Sequence, residues 1–269
     1  MRFSILASGS SGNSIYIEHG DTRLLLDAGI SGKQLRMRLD AACGRDLADL
    51  TAVLVTHEHD DHVRGLAQVY KHAPSPVYMT EGTHASLSDK QKPELADRTL
   101  QIVQEDVSFD IGTIRVTPFA ISHDAEQPVA YRFDTDDASL AVITDLGYVT
   151  DHQKSLLQNC DAYVFESNHD VDMLRVGRYP WHLKRRILGD KGHLSNTDAA
   201  YALIDILPDA PVDVYLAHLS EENNQPDLAD LTVRQILDDA RPTIAPEIRL
   251  KRTSRHEPTK FVDLIRQPV

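Results

Sequence analysis

Apolar positions along this chain fall into short runs separated by polar or glycine-bearing turns, and several runs end on a side chain able to bind a metal. The alternation predicts strands at 2–7, 14–18, 22–27 and 51–55, with a helix near 31–42 between the last two. A second set of strands is expected at 100–104, 113–120, 129–134, 138–143, 161–166 and 212–217. Helical spacing places further helices at 63–72, 83–90, 151–158, 196–206 and 227–239, the first starting just after a histidine-rich segment. Pro208, Pro211, Pro242 and Pro246 mark turns. No repeat, low-complexity stretch or linker interrupts the pattern, so residues 1–269 read as a single domain.

The histidine-rich segment is Thr56-His57-Glu58-His59-Asp60-Asp61-His62, directly after the apolar run Ala52-Val53-Leu54-Val55. Imidazole and carboxylate donors suit zinc, manganese or iron. His57 and His59 alternate as on an extended strand end, whereas the added Asp61-His62 pair needs a turn, which suggests two neighbouring metal sites. A solvated histidine-rich turn is the bland reading, and the placement after an apolar strand argues against it.

His57-x-His59-x-Asp61-His62 after a strand resembles the signature of the metallo-β-lactamase superfamily, and the other motifs of that superfamily follow in order. Ser122-His123 follows the run Ile114–Phe119, Asp145 follows Leu140–Thr144, and His218 follows Val212–Ala217. The resemblance implies an αββα sandwich, an α/β fold of two mixed sheets flanked by helices. It also implies two divalent ions, one on His57, His59 and His123, the other on Asp61, His62 and His218, with Asp145 bridging them.

Longer stretches carry a narrower resemblance. They are Phe3–Ser14, Glu166-Ser167-Asn168-His169-Asp170, Arg178–Ile187, Gly192-His193-Leu194-Ser195-Asn196 and His218–Asn224. Together they are similar to the WalJ/YycJ exonuclease family, which implies hydrolysis of DNA from a 5′ end by a metal-bound hydroxide. In phosphodiesterase branches of the superfamily a histidine in a His-x-Ser/Thr context, about two dozen residues before the last ligand, protonates the leaving oxygen or steadies the phosphate. His193 stands 25 residues before His218. The same histidine could simply precede a helix capped by Ser195 or Asn196. Asp61 is expected to hold the attacking hydroxide as well as a metal, so Asp61 and His193 are the candidate catalytic pair. Glu166 either orients a catalytic imidazole or ties down its own loop. Candidate substrate contacts are Asn13 in the Ser/Gly loop, Asn168, His169, Arg178, Lys184, Arg186 and Ser195. The Ser8–Asn13 loop also has a plain reading as a tight hairpin turn.

Composition changes this picture in one respect. The formal charge of −13 repels a polyanion. Between Val171 and His193, however, six basic residues face two acids. A small-molecule phosphodiesterase resembling the cyclic-phosphate hydrolase PhnP would share the ligands and His193 and suits the acidic charge, whereas Lys184-Arg185-Arg186 favours a polymer. A regulatory nucleic-acid-binding module would be expected to have lost ligands. Cys43 and Cys160 cannot make a disulfide framework, no run is long enough to span a membrane, and no leader precedes the first strand, so a cytoplasmic protein is expected. Oligomeric state is not legible.

Overall fold

The computed structural model describes residues 1–73, 75–89, 91–92 and 100–265. Strands β1 (Arg2–Ala7), β2 (Ser14–His19), β3 (Thr22–Leu26), β4 (Ala52–Leu54), β5 (Val77–Met79) and β6 (Leu100–Ile102) belong to one sheet. Strands β7 (Phe109–Ile111), β8 (Ile114–Ala120), β9 (Val129–Asp134), β10 (Ser139–Ile143), β11 (Ala162–Glu166), β12 (Val212–Ala217) and β13 (Ile248–Arg252) form the other. β14 (Val262–Asp263) completes the first sheet beside β1. Both sheets are mixed and have seven strands. The helices are α1 (Gly32–Cys43), α2 (Asp60–Val63), α3 (Leu66–His72), α4 (Glu81–Ser86), α5 (Asp151–Leu157), α6 (Val171–Val176), α7 (Trp181–Ile187), α8 (Asn196–Ile206) and α9 (Pro226–Ala240). Two mixed sheets flanked by helices are the fold class expected from the sequence. No helix among the described residues is long and apolar enough to cross a membrane.

The chain divides into two compact units. The first comprises Met1–Ala120, Ala125–Asp137 and Thr253–Leu264. Its core joins Leu6, Tyr16, Leu25 and Val53 of the sheet to Leu35 and Leu39 of α1 and to Leu66 and Val69 of α3. Leu35 and Leu39 lie four apart, on one face of α1, and Ser31 caps that helix by accepting from Gln34 N. The second unit comprises Ile121–Asp124, Ala138–Arg252 and Ile265–Val269. Its strands β10 to β13 are parallel, and β10 and β11 are buried at every position, which is why they read as unbroken apolar runs. α8 packs on α9, whose buried Ala229, Val233 and Leu237 recur every fourth residue.

The structure departs from the sequence reading at several elements. The helix expected at 63–72 is two pieces, and the first starts at Asp60, so Asp61 and His62 are helical rather than upstream of the helix. Asp60 and Asp61 favour that start, because carboxylates in a first turn face the positive end of the helix dipole. The helix expected at 83–90 runs from Glu81 to Ser86, and residue 90 lies outside the described residues. β5, β7, β13, β14, α6 and α7 were not anticipated; each is seven residues or fewer.

Three backbone segments meet at Gly29. Asn13 N donates to Asp61 O at 2.7 Å, Gly29 N to Asn13 O at 2.9 Å, and Ala28 N to His62 O at 2.8 Å. A Cβ at Gly29 would lie 1.6 Å from Asp61 O, so only glycine lets α2 approach the Ser/Gly loop this closely.

Candidate metal centre

Within the first unit the chain leaves β4, passes Thr56 and His57, and turns at His59 into α2. The His57 ring centroid lies 4.7 Å from that of His59 and 4.1 Å from that of His62. Beneath them sits Asp27, buried, with a left-handed backbone at φ 59°. Its carboxylate accepts from Thr56 N at 2.8 Å and from Thr56 Oγ1 at 3.0 Å, and His62 Nδ1 stands 2.8 Å from Oδ2. Thr56 has one hydroxyl proton, given to Asp27, so its oxygen accepts from His57 Nδ1 at 2.9 Å. Both imidazoles therefore carry their proton on Nδ1 and keep the Nε2 lone pair as the ligand atom, the usual way in which outer partners fix a metal-binding tautomer. Burial pushes the Asp27 carboxyl above the ordinary carboxylate range, opposed by His62 and by the Thr56 donors. Asn13 holds the loop from the other side: its Nδ2 lies 3.2 Å from Asp61 Oδ2 and 3.1 Å from His62 Nε2, while Oδ1 accepts from Gly9 N.

Within the second unit four groups converge: ligand-type atoms of Asp145, Glu166, His193 and His218 all lie within 4.8 Å of one another. Asp145 and His218 each follow a strand in the left-handed region, at φ 65° and 55°. For residues other than glycine such backbone costs roughly 1–3 kcal/mol and clusters at functional sites. Glu166, the last residue of β11, is fully buried. Its Oε1 lies 2.9 Å from both His193 Nδ1 and His218 Nδ1, and its Oε2 accepts from Leu146 N and Leu194 N at 3.1 Å each. Four N–H donors fill the lone-pair sites of one carboxylate, which makes Glu166 an orienting group rather than a ligand. Burial works against its ionisation, but the His193 and His218 imidazoles outweigh that and hold it at about 2. His218 is thereby fixed with Nε2 outward, and Asn168 Nδ2 clamps its carbonyl at 2.8 Å. His123 is set the same way, with Nδ1 3.3 Å from Gly192 O. His193 is the more accessible of these rings, with 19% of its side chain exposed against 3% for His218. Its centroid lies 5.2 Å from those of His123 and His218.

These ligand types on strand ends find their counterpart among known proteins. Residues 22–219 match the model of the Beta-lactamase superfamily domain. The chain belongs to the metallo-β-lactamase superfamily. It is 42% identical over 261 residues to the exodeoxyribonuclease YycJ of Bacillus anthracis, an alignment covering 97% of this chain and 98% of that one. It is 40% identical over 264 residues to the exodeoxyribonuclease WalJ of Streptococcus pneumoniae, covering 98% of each chain. It therefore also belongs to the YycJ/WalJ family within the superfamily, a family of metal-binding hydrolases. The zinc-bound PqqB of Methylobacterium extorquens shares the fold, with a TM-score of 0.70 at 20% identity over 98% of this chain and all of that one.

Against this metallo-β-lactamase frame, the expected substrate contacts sort unevenly. Lys184 departs from expectation: only 7% exposed, its ammonium donates to Arg175 O and Gly177 O at 2.7 Å each. That charge closes the loop between α6 and α7 instead of facing a strand of nucleic acid. Arg186 is exposed but paired with Asp124, the neighbour of His123. Arg178 is exposed and makes no ion pair among the described residues. The Asn13 amide donates to Asp61 and the Asn168 amide to the His218 carbonyl, and Ser195 caps α8 by accepting from Asp198 N. His169 is 1% exposed, neither ring nitrogen has a hydrogen-bond partner among the described residues, and burial lowers its pKa to about 4. Asp27 and Thr56 went unnoticed in the sequence, although Leu24-Leu25-Leu26-Asp27 has the same form as the runs that end on ligands.

Proposed function

We propose that this chain is a 5′-to-3′ exodeoxyribonuclease that uses two divalent ions. The observation that carries this reading is its 40–42% identity, over nearly the full length, to two proteins named exodeoxyribonucleases. His57, His59 and His123 would hold one ion, Asp61, His62 and His218 the other, with Asp145 shared; each offers a nitrogen or oxygen ligand atom. Such a donor set suits zinc, manganese or iron. The fixed Nδ1 partners of His57, His62, His123 and His218 support the assignment, because a preset tautomer is what a ligating imidazole needs. Bound ions would polarise the phosphodiester and acidify a water molecule.

The chain's own groups do the rest. Asp61, steadied by Asn13, accepts a hydrogen bond from the attacking water and sets its approach. His193 gives a proton from Nε2 to the departing oxygen, a poor leaving group otherwise. Glu166 holds Nδ1 of that ring, so Nε2 is the only ring atom able to reach substrate. We place this reaction in the cytoplasm, where Cys43 and Cys160, both free thiols, remain reduced.

The test is metal-reconstituted protein incubated with end-labelled DNA and RNA, phosphorylated or blocked at the 5′ end, beside a cyclic nucleotide. Stepwise shortening of DNA from the 5′ end, weakened by salt, is the expected result. Hydrolysis confined to the small cyclic substrate and indifferent to salt would replace this reading with that of a small-molecule phosphodiesterase.

A further inference from the structure

Segment 175–188 combines exposed apolar and cationic side chains in a way the metal chemistry does not use. On α7, Leu183, Lys184 and Ile187 turn inward, leaving Trp181 and Arg185 at the surface, with Leu188 exposed just after the helix. Trp181 is 62% exposed, and Leu188 lies among the exposed large hydrophobics. Trp181 and Arg185 are four residues apart, hence neighbours on one helix face. Arg178, three residues before Trp181, is also exposed. Neither Arg178 nor Arg185 has a salt-bridge or side-chain hydrogen-bond partner among the described residues, in a chain with a formal charge of −13.

This surface is tied to His193 and His123 by short links inside the same unit. His193 N donates to Ile187 O at 3.0 Å, Arg186 pairs with Asp124 beside His123, and Ser122 Oγ donates to Asp190 O at 2.6 Å. The seven residues of α7 span about 10 Å at the helical rise of 1.5 Å per residue. A flat aromatic ring with unpaired guanidinium groups beside it, about that distance from the loop that positions His193, has the makings of a single-strand nucleic-acid track. Bases stack on the ring whatever their sequence, and cations follow the phosphates.

Resting on the exodeoxyribonuclease reading, we propose that Trp181 is a stacking platform for an unpaired base of the DNA substrate, with Arg178 and Arg185 holding the flanking phosphates. The strand being degraded would then be engaged single-stranded. A fully paired end would have to fray before its base reached the ring.

The chain has one tryptophan, so its intrinsic fluorescence reports this residue alone. A phosphorothioate single-stranded oligodeoxynucleotide, which resists cleavage, should quench that fluorescence as anisotropy records binding. The same strand with abasic 5′ nucleotides should bind more weakly and leave the emission unchanged. Trp181→Ala should weaken single-strand binding roughly 5- to 150-fold, the range for losing one stacked base, and Trp181→Phe should restore most of it. Because the ring is largely exposed, neither substitution threatens the fold, and far-UV circular dichroism checks this. Binding with unchanged emission, W181A affinity within twofold of the unaltered protein, or equal quenching by a blunt duplex would each overturn the platform. If the unaltered protein cleaves DNA while Trp181 stays silent, only this inference falls. If it neither binds nor cuts DNA, the exodeoxyribonuclease reading falls with it.

Discussion

Replacing Glu166 by glutamine changes one oxygen to an amide nitrogen and little else in volume, yet the site has no good place for the new donor. Glu166 Oε1 serves two imidazole donors and Oε2 serves two backbone donors, all buried. If the amide nitrogen faces the backbone, Leu146 N and Leu194 N both lose their acceptor. Each buried unsatisfied group costs about 1–3 kcal/mol, so a loss of roughly 2–6 kcal/mol of folding stability is expected. If it faces the rings instead, His193 and His218 must move their protons to Nε2, which removes a ligand lone pair from His218 and frees His193 to rotate. In the second orientation His193 loses its alignment, and in the first it keeps a neutral amide oxygen in place of a carboxylate, so turnover of DNA should fall by up to roughly the 10²–10⁴-fold attached to a positioned general acid. The discriminating assay compares an oligonucleotide with a nitrophenyl phosphodiester, whose leaving group needs little protonation, and follows metal content by mass spectrometry. A purely structural defect lowers both activities in proportion. A positioning role for Glu166 shows as a larger loss on the oligonucleotide and a displaced alkaline limb of the pH–rate profile, since a general acid acts only while protonated. Glu166→Gln that keeps DNA turnover within threefold, with full metal content, would refute the assignment.

Three further outcomes follow from other residues. His193→Ala should keep its metal content yet slow phosphodiester hydrolysis roughly 10²–10⁴-fold, the nitrophenyl substrate suffering less; equal losses on both would point to phosphate positioning instead. Lys184→Met removes a cation that bonds two carbonyls and should cost roughly 2–4 kcal/mol in urea unfolding, while the salt dependence of oligonucleotide binding stays as it was. A flattened salt slope in that variant would return Lys184 to the DNA path. His169, held at about 4 against an ordinary 6.5, resists protonation when folded, so its contribution is constant above pH 6.5 and stability falls as pH drops towards 4. Between pH 7 and pH 5 the native chain should lose about 2 kcal/mol more than His169→Asn, as read from metal-free unfolding curves; parallel curves would show that the ring is solvated.

The sequence announced the strands whose apolar runs are unbroken. β10 and β11 are buried at every position, so Leu140–Ile143 and Ala162–Phe165 carry no charged interruption to confuse their periodicity, and β12 is broken only by the half-buried Asp213. It was less forthcoming for β13, Ile248-Arg249-Leu250-Lys251-Arg252, whose alternation is clear but whose partly exposed residues resemble a charged loop. α7 was hidden for a different reason. Its consecutive Lys184-Arg185-Arg186 interrupts any apolar periodicity, and helical geometry turns the first inward and leaves the others out. In the site, ligand-type residues were visible because each ends an apolar run. The partners that set their tautomers were not: Thr56 and Asp27 lie 29 residues apart, Glu166 and His218 lie 52 apart, and only folding brings them into register.

The meeting of backbones at Gly29 bears on how this centre could be moved between proteins. Asp61 and His62 are held in place by carbonyls bonded to the amides of Asn13 and Ala28, and Gly65 N returns a further bond to Ala28 O at 2.7 Å. A transplanted His-x-His-x-Asp-His segment would bring the donor atoms without the frame that spaces them. The smallest portable module for this His-x-His-x-Asp-His segment is therefore discontinuous: the Ser/Gly loop through Asn13, the stretch from Asp27 to Gly29, and the segment from Thr56 to Gly65. A designer who borrowed only the last of these should expect a chelating peptide with its imidazoles free to choose either tautomer, and a searcher who looked only for its letters would miss two thirds of what makes them a site.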